Sequence, residues 1–251
     1  MKYFLKVLFL ISISHRIFAS EPKILLDSAN TAYSKGNFAQ AAEEYEKLIA
    51  DGYISAELFY NLGNAYYKLD KLSKSILNYE RAKKLSPNDD DINFNLKLAN
   101  QRTVDKIEPT PKLFLDEWWD SLKSSQTEKT WSLRSISCFV LFLFFIGVFI
   151  LSSHSINKQF GFWLGLVFFT LTLVSFSIAR GRYKDITMHN SAVILSSSAE
   201  VKNAPAESGT KLFILHEGAK VFAPEISGEW VRIELSSDKV GWVKKSQLEF
   251  I

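Results

Sequence analysis

Four histidines, one cysteine and a run of three aspartates are the side chains of this 251-residue chain best suited to catalysis or metal binding. Their spacing argues against both. His15, His154, His189 and His216 are scattered, and a lone surface or core role explains each better than a metal site. Cys138 sits in a strongly apolar stretch, which keeps it a thiol. A single cysteine also excludes a disulfide framework within the chain and a zinc site built on paired cysteines. Asp89, Asp90 and Asp91 are not followed by calcium-loop spacing and read as a helix start. The sequence has no Gly-rich phosphate loop, no His-Glu-x-x-His and no Gly-x-Ser-x-Gly. The expectation is a protein that is not an enzyme and holds no metal and no cofactor.

The elements that position the remaining candidates follow from charge and hydropathy. The formal net charge of +3 comes from Lys2, Lys6 and Arg16, because beyond residue 20 the basic and acidic residues cancel at 27 each. A neutral folded part argues against a nucleic-acid partner. Residues 1–20 combine a charged start, a short apolar run over Val7–Ile13 and small residues at Ala19 and Ser20, which is the pattern of a secretory signal peptide. An uncleaved anchor is the alternative, although the run is short for a bilayer core of ~30 Å.

Two further segments are long enough to span a membrane. Residues 135–157 and 159–179 carry no Asp, Glu, Lys or Arg, and they hold ten of the twenty Phe residues. The loop between them is too short for a domain, so they form a helical hairpin with both flanking domains on one side. The two indications of sidedness disagree. A signal peptide sends the N-terminal domain out, whereas Lys129, Arg134, Arg180, Arg182 and Lys184 at the hairpin's ends favour the inside. The signal outweighs the charge bias, because domains translocate largely regardless of charge.

Before the hairpin the sequence repeats itself at a period of 34. Residues 22–55 place Ala29, Tyr33, Gly36, Ala41, Tyr45 and Leu48 at the offsets where residues 56–89 place Gly63, Tyr67, Asp70, Ser75, Tyr79 and Ala82. The spacing and the segment Asn61-Leu-Gly-Asn-Ala-Tyr-Tyr-Lys68 resemble the tetratricopeptide repeat. Asp70 stands where that family usually has glycine, and Ser75 where it has alanine. One further helix over residues 90–102 caps the stack and completes a repeat domain over 21–106. The resemblance implies an all-α helical repeat with a concave face lined by Leu26, Asn30, Tyr33, Tyr60, Asn64, Tyr67 and Lys68. There Asn30 and Asn64 would hydrogen-bond an extended peptide and the tyrosines would pack on its side chains. Alternatively, some of these tyrosines are core and the asparagines merely solvated.

Residues 107–134 form a linker. Pro109 and Pro111 break the helix, and Leu115, Trp118, Trp119 and Leu122 then fall on one helical face with acids opposite. Such a helix is either an interfacial anchor on the lipid bilayer or a protein-docking element.

After the hairpin the pattern changes to about five short strands, separated by turn residues at Glu217-Gly218, Ser227-Gly228 and Ser236–Lys239. Leu215-His-Glu-Gly-Ala-Lys-Val221, Trp230-Val-Arg-Ile233 and Gly241-Trp-Val243 resemble a bacterial SH3-like domain, which implies an all-β barrel over residues 186–251. Alternation puts Val231, Ile233 and Leu235 on one face and leaves Trp230 partly exposed on the other. Trp230 and Trp242 are then candidates for a peptide or peptidoglycan contact, or else both complete the barrel core.

The order of these parts is similar to that of the BatE family of bacterial aerotolerance (Bat) systems. Tyr79-Glu-Arg-Ala-Lys-Lys-Leu-Ser-Pro-Asn88, Ala99–Ile107 and Leu215-His-Glu-Gly218 add to the likeness. The signal peptide and the hairpin together give the expectation of a multi-pass protein of the bacterial inner (cytoplasmic) membrane with both soluble domains periplasmic, and the combination of modules reads as a membrane-anchored interaction scaffold. The resemblance implies partners that include membrane proteins with von Willebrand factor A domains and other Bat components. The competing expectation is a cell-wall sensor or tether that binds peptidoglycan through the SH3-like domain.

Overall fold

A computed structural model describes residues 21–107, 113–236 and 239–251. The signal-peptide segment 1–20 and the prolines at 109 and 111 lie outside the described residues. The chain divides into two compact units, one formed by residues up to Leu85 with Asp89–Glu108 and His189–Ile251, the other by Ser86–Asn88 with Pro109–Met188.

In the first unit, α1 (Glu21–Ser34) and α2 (Phe38–Ala50) form one helical hairpin, and α3 (Ala56–Lys68) and α4 (Leu72–Leu85) form the next. A single helix, α5 (Asp90–Asn100), follows and packs on α3 and α4. Local chemistry sets the boundaries. Ser55 caps α3 by accepting from the Leu58 N–H at 3.0 Å, and Asp89 caps α5 by accepting from Asp91 and Ile92. Thus the aspartate run acts at a helix start. The turns inside the two hairpins need left-handed backbone, which Gly36 supplies at φ +81° and Asp70 at φ +59°.

Ala29, Ala41, Ala42, Tyr45, Leu48, Leu58, Leu62, Ala65 and Tyr66 close the first repeat around small residues. In the second, Gly63 lets α3 approach α4. A Cβ there would lie 2.7 Å from Tyr79 Cδ1 and 2.8 Å from Cε1. Gly63→Ala is therefore expected to destabilise the stack by about 1–3 kcal/mol, measured as faster amide exchange along α3 and α4 in the intact chain. Unchanged exchange would contradict this packing.

The described residues of the same unit form seven antiparallel strands: β1 (Ser191–Ile194), β2 (Ser198–Lys202), β3 (Lys211–His216), β4 (Lys220–Ser227), β5 (Trp230–Ser236), β6 (Lys239–Lys244) and β7 (Leu248–Phe250). Their order is β3-β2-β6-β5-β4-β1-β7. One face of every strand contributes to a single cluster that includes Ala192, Ile194, Val201, Leu215, Val221, Ile233, Val243 and Leu248. A flat sheet cannot bring these together, so the sheet curls around its core. Among the described residues the sheet does not close on itself, and it has seven strands where the sequence suggests about five. The edge carbonyls beside β7 accept from side chains instead of from another strand: Arg81 donates to the Phe250 carbonyl at 2.8 Å and Lys84 to that of Ile251 at 2.9 Å.

Those two bonds belong to a junction between sheet and repeats. Val193, Leu195 and Ile251 pack with Leu72, Ile76 and Leu77 of α4. Lys220 pairs with Glu80 at 2.7 Å and Arg81 with Glu249 at 2.8 Å. Asp105 accepts from the His216 N–H at 2.6 Å and lies 3.1 Å from its Nδ1, so His216 holds the turn at the junction.

In the second unit, α6 (Phe114–Ser124) precedes α7 (Glu128–Leu151) and α8 (Ser155–Thr187). Both α7 and α8 are long and apolar enough to cross a membrane, with mean hydropathies of 2.4 and 2.0. The turn between them falls at Ser152–His154, so Lys158 belongs to α8 rather than to the loop. Gly161 permits close approach, since a Cβ there would lie 2.7 Å from the Phe149 nitrogen, and Phe145 stacks on Phe168 at 5.4 Å. On α6, Leu122 packs with Trp131, Ile178 and Ala179, whereas Phe114, Leu115, Trp118 and Trp119 are exposed.

Candidate functional site

The first helices of the repeats, α1 and α3, together with α5 line a cavity of about 300 Å³. Of the seven residues expected on the concave face, Tyr33, Tyr60, Asn64, Tyr67 and Lys68 line it. Leu26 and Asn30 do not. Leu26 packs against the core of the first repeat. Tyr79, Asn95 and Leu98 complete the lining and were not among the expected residues.

The asparagines do something other than wait for a peptide. Asn64 Oδ1 accepts from the Tyr79 hydroxyl at 2.6 Å and from Asn95 Nδ2 at 3.0 Å. One repeat earlier, Asn30 Oδ1 accepts from the Tyr45 hydroxyl at 2.6 Å and from Asn61 Nδ2 at 3.2 Å. This Asn–Tyr–Asn triad recurs at the 34-residue period and ties each first helix to its own second helix and to the next repeat. The signal was present in the sequence, because Asn61 and Asn95, like Tyr45 and Tyr79, are 34 apart. Both amide oxygens are thereby committed to the fold, and in the cavity this leaves the Asn64 Nδ2 group as a donor.

The groove is accordingly rich in donors. Asn95 Nδ2 also donates to the Tyr60 hydroxyl at 2.9 Å, which leaves the Tyr60 proton to point elsewhere. Burial, with Tyr60 nearby, pushes the Tyr33 phenol above its ordinary value, so it stays a neutral donor at physiological pH. Burial raises Tyr79 further. Lys68 adds an exposed ammonium at one end, and the Arg102 guanidinium lies 5.3 Å from the Tyr67 ring centre while paired to Asp70. Phenol, amide and ammonium donors over aromatic faces suit the carbonyl oxygens and side chains of an extended peptide. Among the described residues no group of three His, Cys, Asp or Glu side chains is arranged to hold a metal.

The two sheet tryptophans lie apart from the groove. Trp230 is only 9 % exposed, contrary to the partly exposed ring that strand alternation suggests. Alternation does place it on the outer face. The stems of Lys202 and Lys244 then cover it, with their Nζ atoms 5.3 Å and 5.8 Å from the ring centre. Trp242 is half-buried on the same face, opposite Lys202 of β2 and Arg232 of β5.

A model of the tetratricopeptide repeat family matches residues 26–90, which contain α2, α3, α4 and most of α1. No curated protein matches the chain. A repeat stack of this family points to protein partners in general.

Proposed function

We propose that this protein is a membrane-anchored protein–protein interaction scaffold, and specifically a BatE-like component of a bacterial aerotolerance system. The observation that carries the reading is the donor-rich groove, in which five of the residues named from the repeat pattern surround one cavity. The remainder follows from the order of parts. The repeats and the sheet, which would be the SH3-like module, belong to one compact unit although α7 and α8 separate them in sequence. This supports a hairpin whose two ends emerge on the same side of the bilayer. With a cleaved signal peptide, that side is the periplasm and the membrane is the bacterial inner membrane. Its partners would be membrane proteins with von Willebrand factor A domains, bound without turnover. Tethering raises the effective concentration of the groove for such neighbours. The cell-wall reading is weaker, since it relies on an accessible Trp230 ring.

The test is cross-linking of the full chain in its membrane, followed by mass spectrometry. Proteins with von Willebrand factor A domains are expected to dominate. A Tyr67→Ala, Lys68→Glu variant should reduce their recovery by about tenfold, as loss of a binding hot spot does. Recovery that is unchanged by the variant, or recovery of wall fragments and amidases instead, would overturn the assignment.

A further inference from the structure

The outer face of β2, β6 and β5 carries Lys202, Trp242, Lys244, Trp230 and Arg232. They are register neighbours across the ladders, while Val201, Val231, Ile233 and Val243 point into the core. Two tryptophans and three cations thus share one surface. Arg232 is paired with Glu234 at 3.1 Å, and on β2 Glu200 pairs with Lys211 at 3.3 Å. The two ammonium groups over Trp230 converge on a different partner, Glu207, in the loop between β2 and β3. Its carboxylate lies 3.4 Å from Lys202 Nζ and pairs also with Lys244 Nζ. Lys202 Nζ donates in addition to the Glu207 backbone carbonyl at 2.6 Å.

We propose that this face is a second binding site, for an acidic residue presented on a polypeptide of a partner, and that Glu207 is a displaceable occupant supplied by the chain itself. The contacts to Glu207 are the recognition pattern: two ammonium groups for the carboxylate, one of them also taking the main-chain carbonyl, over an indole floor. Lys202 is the buried half of the pattern, with its side chain 12 % exposed, while the Glu207 side chain is 71 % exposed. Ion pairs on so exposed a partner hold weakly. The loop is closed at its base by Asn203 and Thr210, with N–H···O bonds of 3.0 Å and 2.9 Å, so Glu207 can leave without disturbing the ladders. This site is independent of the groove, and either can fail without the other.

The experiment uses the full chain in lipid nanodiscs and an acetylated, amidated hexapeptide of the loop sequence Ala-Pro-Ala-Glu-Ser-Gly, with a Gln-for-Glu peptide as control. Binding is read by calorimetry and by tryptophan fluorescence. Glu207→Ala is expected to bind the Glu peptide about three- to tenfold more tightly than the unaltered chain, because the occupied fraction no longer subtracts from affinity. Lys244→Gln in the Glu207→Ala background should abolish binding, and Lys244→Arg should restore it. Amide exchange of β5 and β6 checks that each variant is folded. No binding by Glu207→Ala, equal binding of the Gln peptide, or binding of purified sacculi without binding of the acidic peptide would overturn the proposal.

Discussion

Tyr79→Ala is expected to remove about 3–5 kcal/mol from the stability of the repeat stack. The Tyr79 side chain is 2 % exposed and belongs to the cluster that joins the floor of the groove to the sheet. Its hydroxyl is one of two donors to Asn64 Oδ1. Truncation leaves a cavity beside Gly63 and an amide that has lost one partner. Amide exchange in α3 and α4 of the intact chain should accelerate by roughly a hundredfold to several thousandfold, at 1.36 kcal/mol per factor of ten. Tyr79→Phe separates the contributions: it keeps the packing and should cost only about 0.5–1.5 kcal/mol for the hydrogen bond. Equal effects of the two substitutions would contradict this account.

Gly218→Val is expected to undock the sheet from the repeats while leaving the sheet folded. Gly218 has φ +83°, and a Cβ there would lie 2.8 Å from both Ile76 Cδ1 and Thr103 Cγ2. Left-handed backbone costs a non-glycine residue about 1–2 kcal/mol, and the collision adds about 1–3 kcal/mol of overpacking. Gly228 supplies the control, since it has φ +59° and nothing within 4 Å of a Cβ. Gly228→Val carries the backbone strain without the collision. Protection at residues 72–84 and 103–107 should fall in the first variant and not in the second, with β5 and β6 unaffected in both. A loss common to both would place the strain in the turn alone.

Much of this architecture was legible in the sequence because the relevant forces are local. The glycine turns and the uncharged stretches depend on neighbours a few residues apart, and the 34-residue period shows when those local patterns recur along the chain. What escaped depends on distant partners. Helix α4 buries two faces, one on α3 and one on the sheet, and the second is built from Ser73, Glu80 and Arg81 as well as Ile76 and Leu77. Polar residues of that kind read as a solvated surface until their partners are known. Strand β2 shows only Ala199 and Val201 to the core, and β7 has three residues, too little alternation to register. Strand alternation assigns Trp230 to the outer face, but lysine stems 28 residues before it and 14 after it decide its exposure. In the groove, the position of Asn64 is legible in the sequence and its role is not, because the bonds that occupy its oxygen come from helices α4 and α5.

The docking of the sheet on α4 has a consequence for biosynthesis. The ribosome finishes α4 well before it begins β1, and at ~5–20 residues per second the roughly one hundred residues between them impose a delay of about 5–20 s. During that interval Ile76 and Leu77 have no sheet to cover them. In the membrane reading, α7 and α8 must insert within the same window, and β1–β7 reach α4 only if both ends of the hairpin face one compartment. Completion of the soluble unit would then report correct insertion. A nascent chain with one helix misplaced would keep an apolar patch on α4 that chaperones and proteases can recognise.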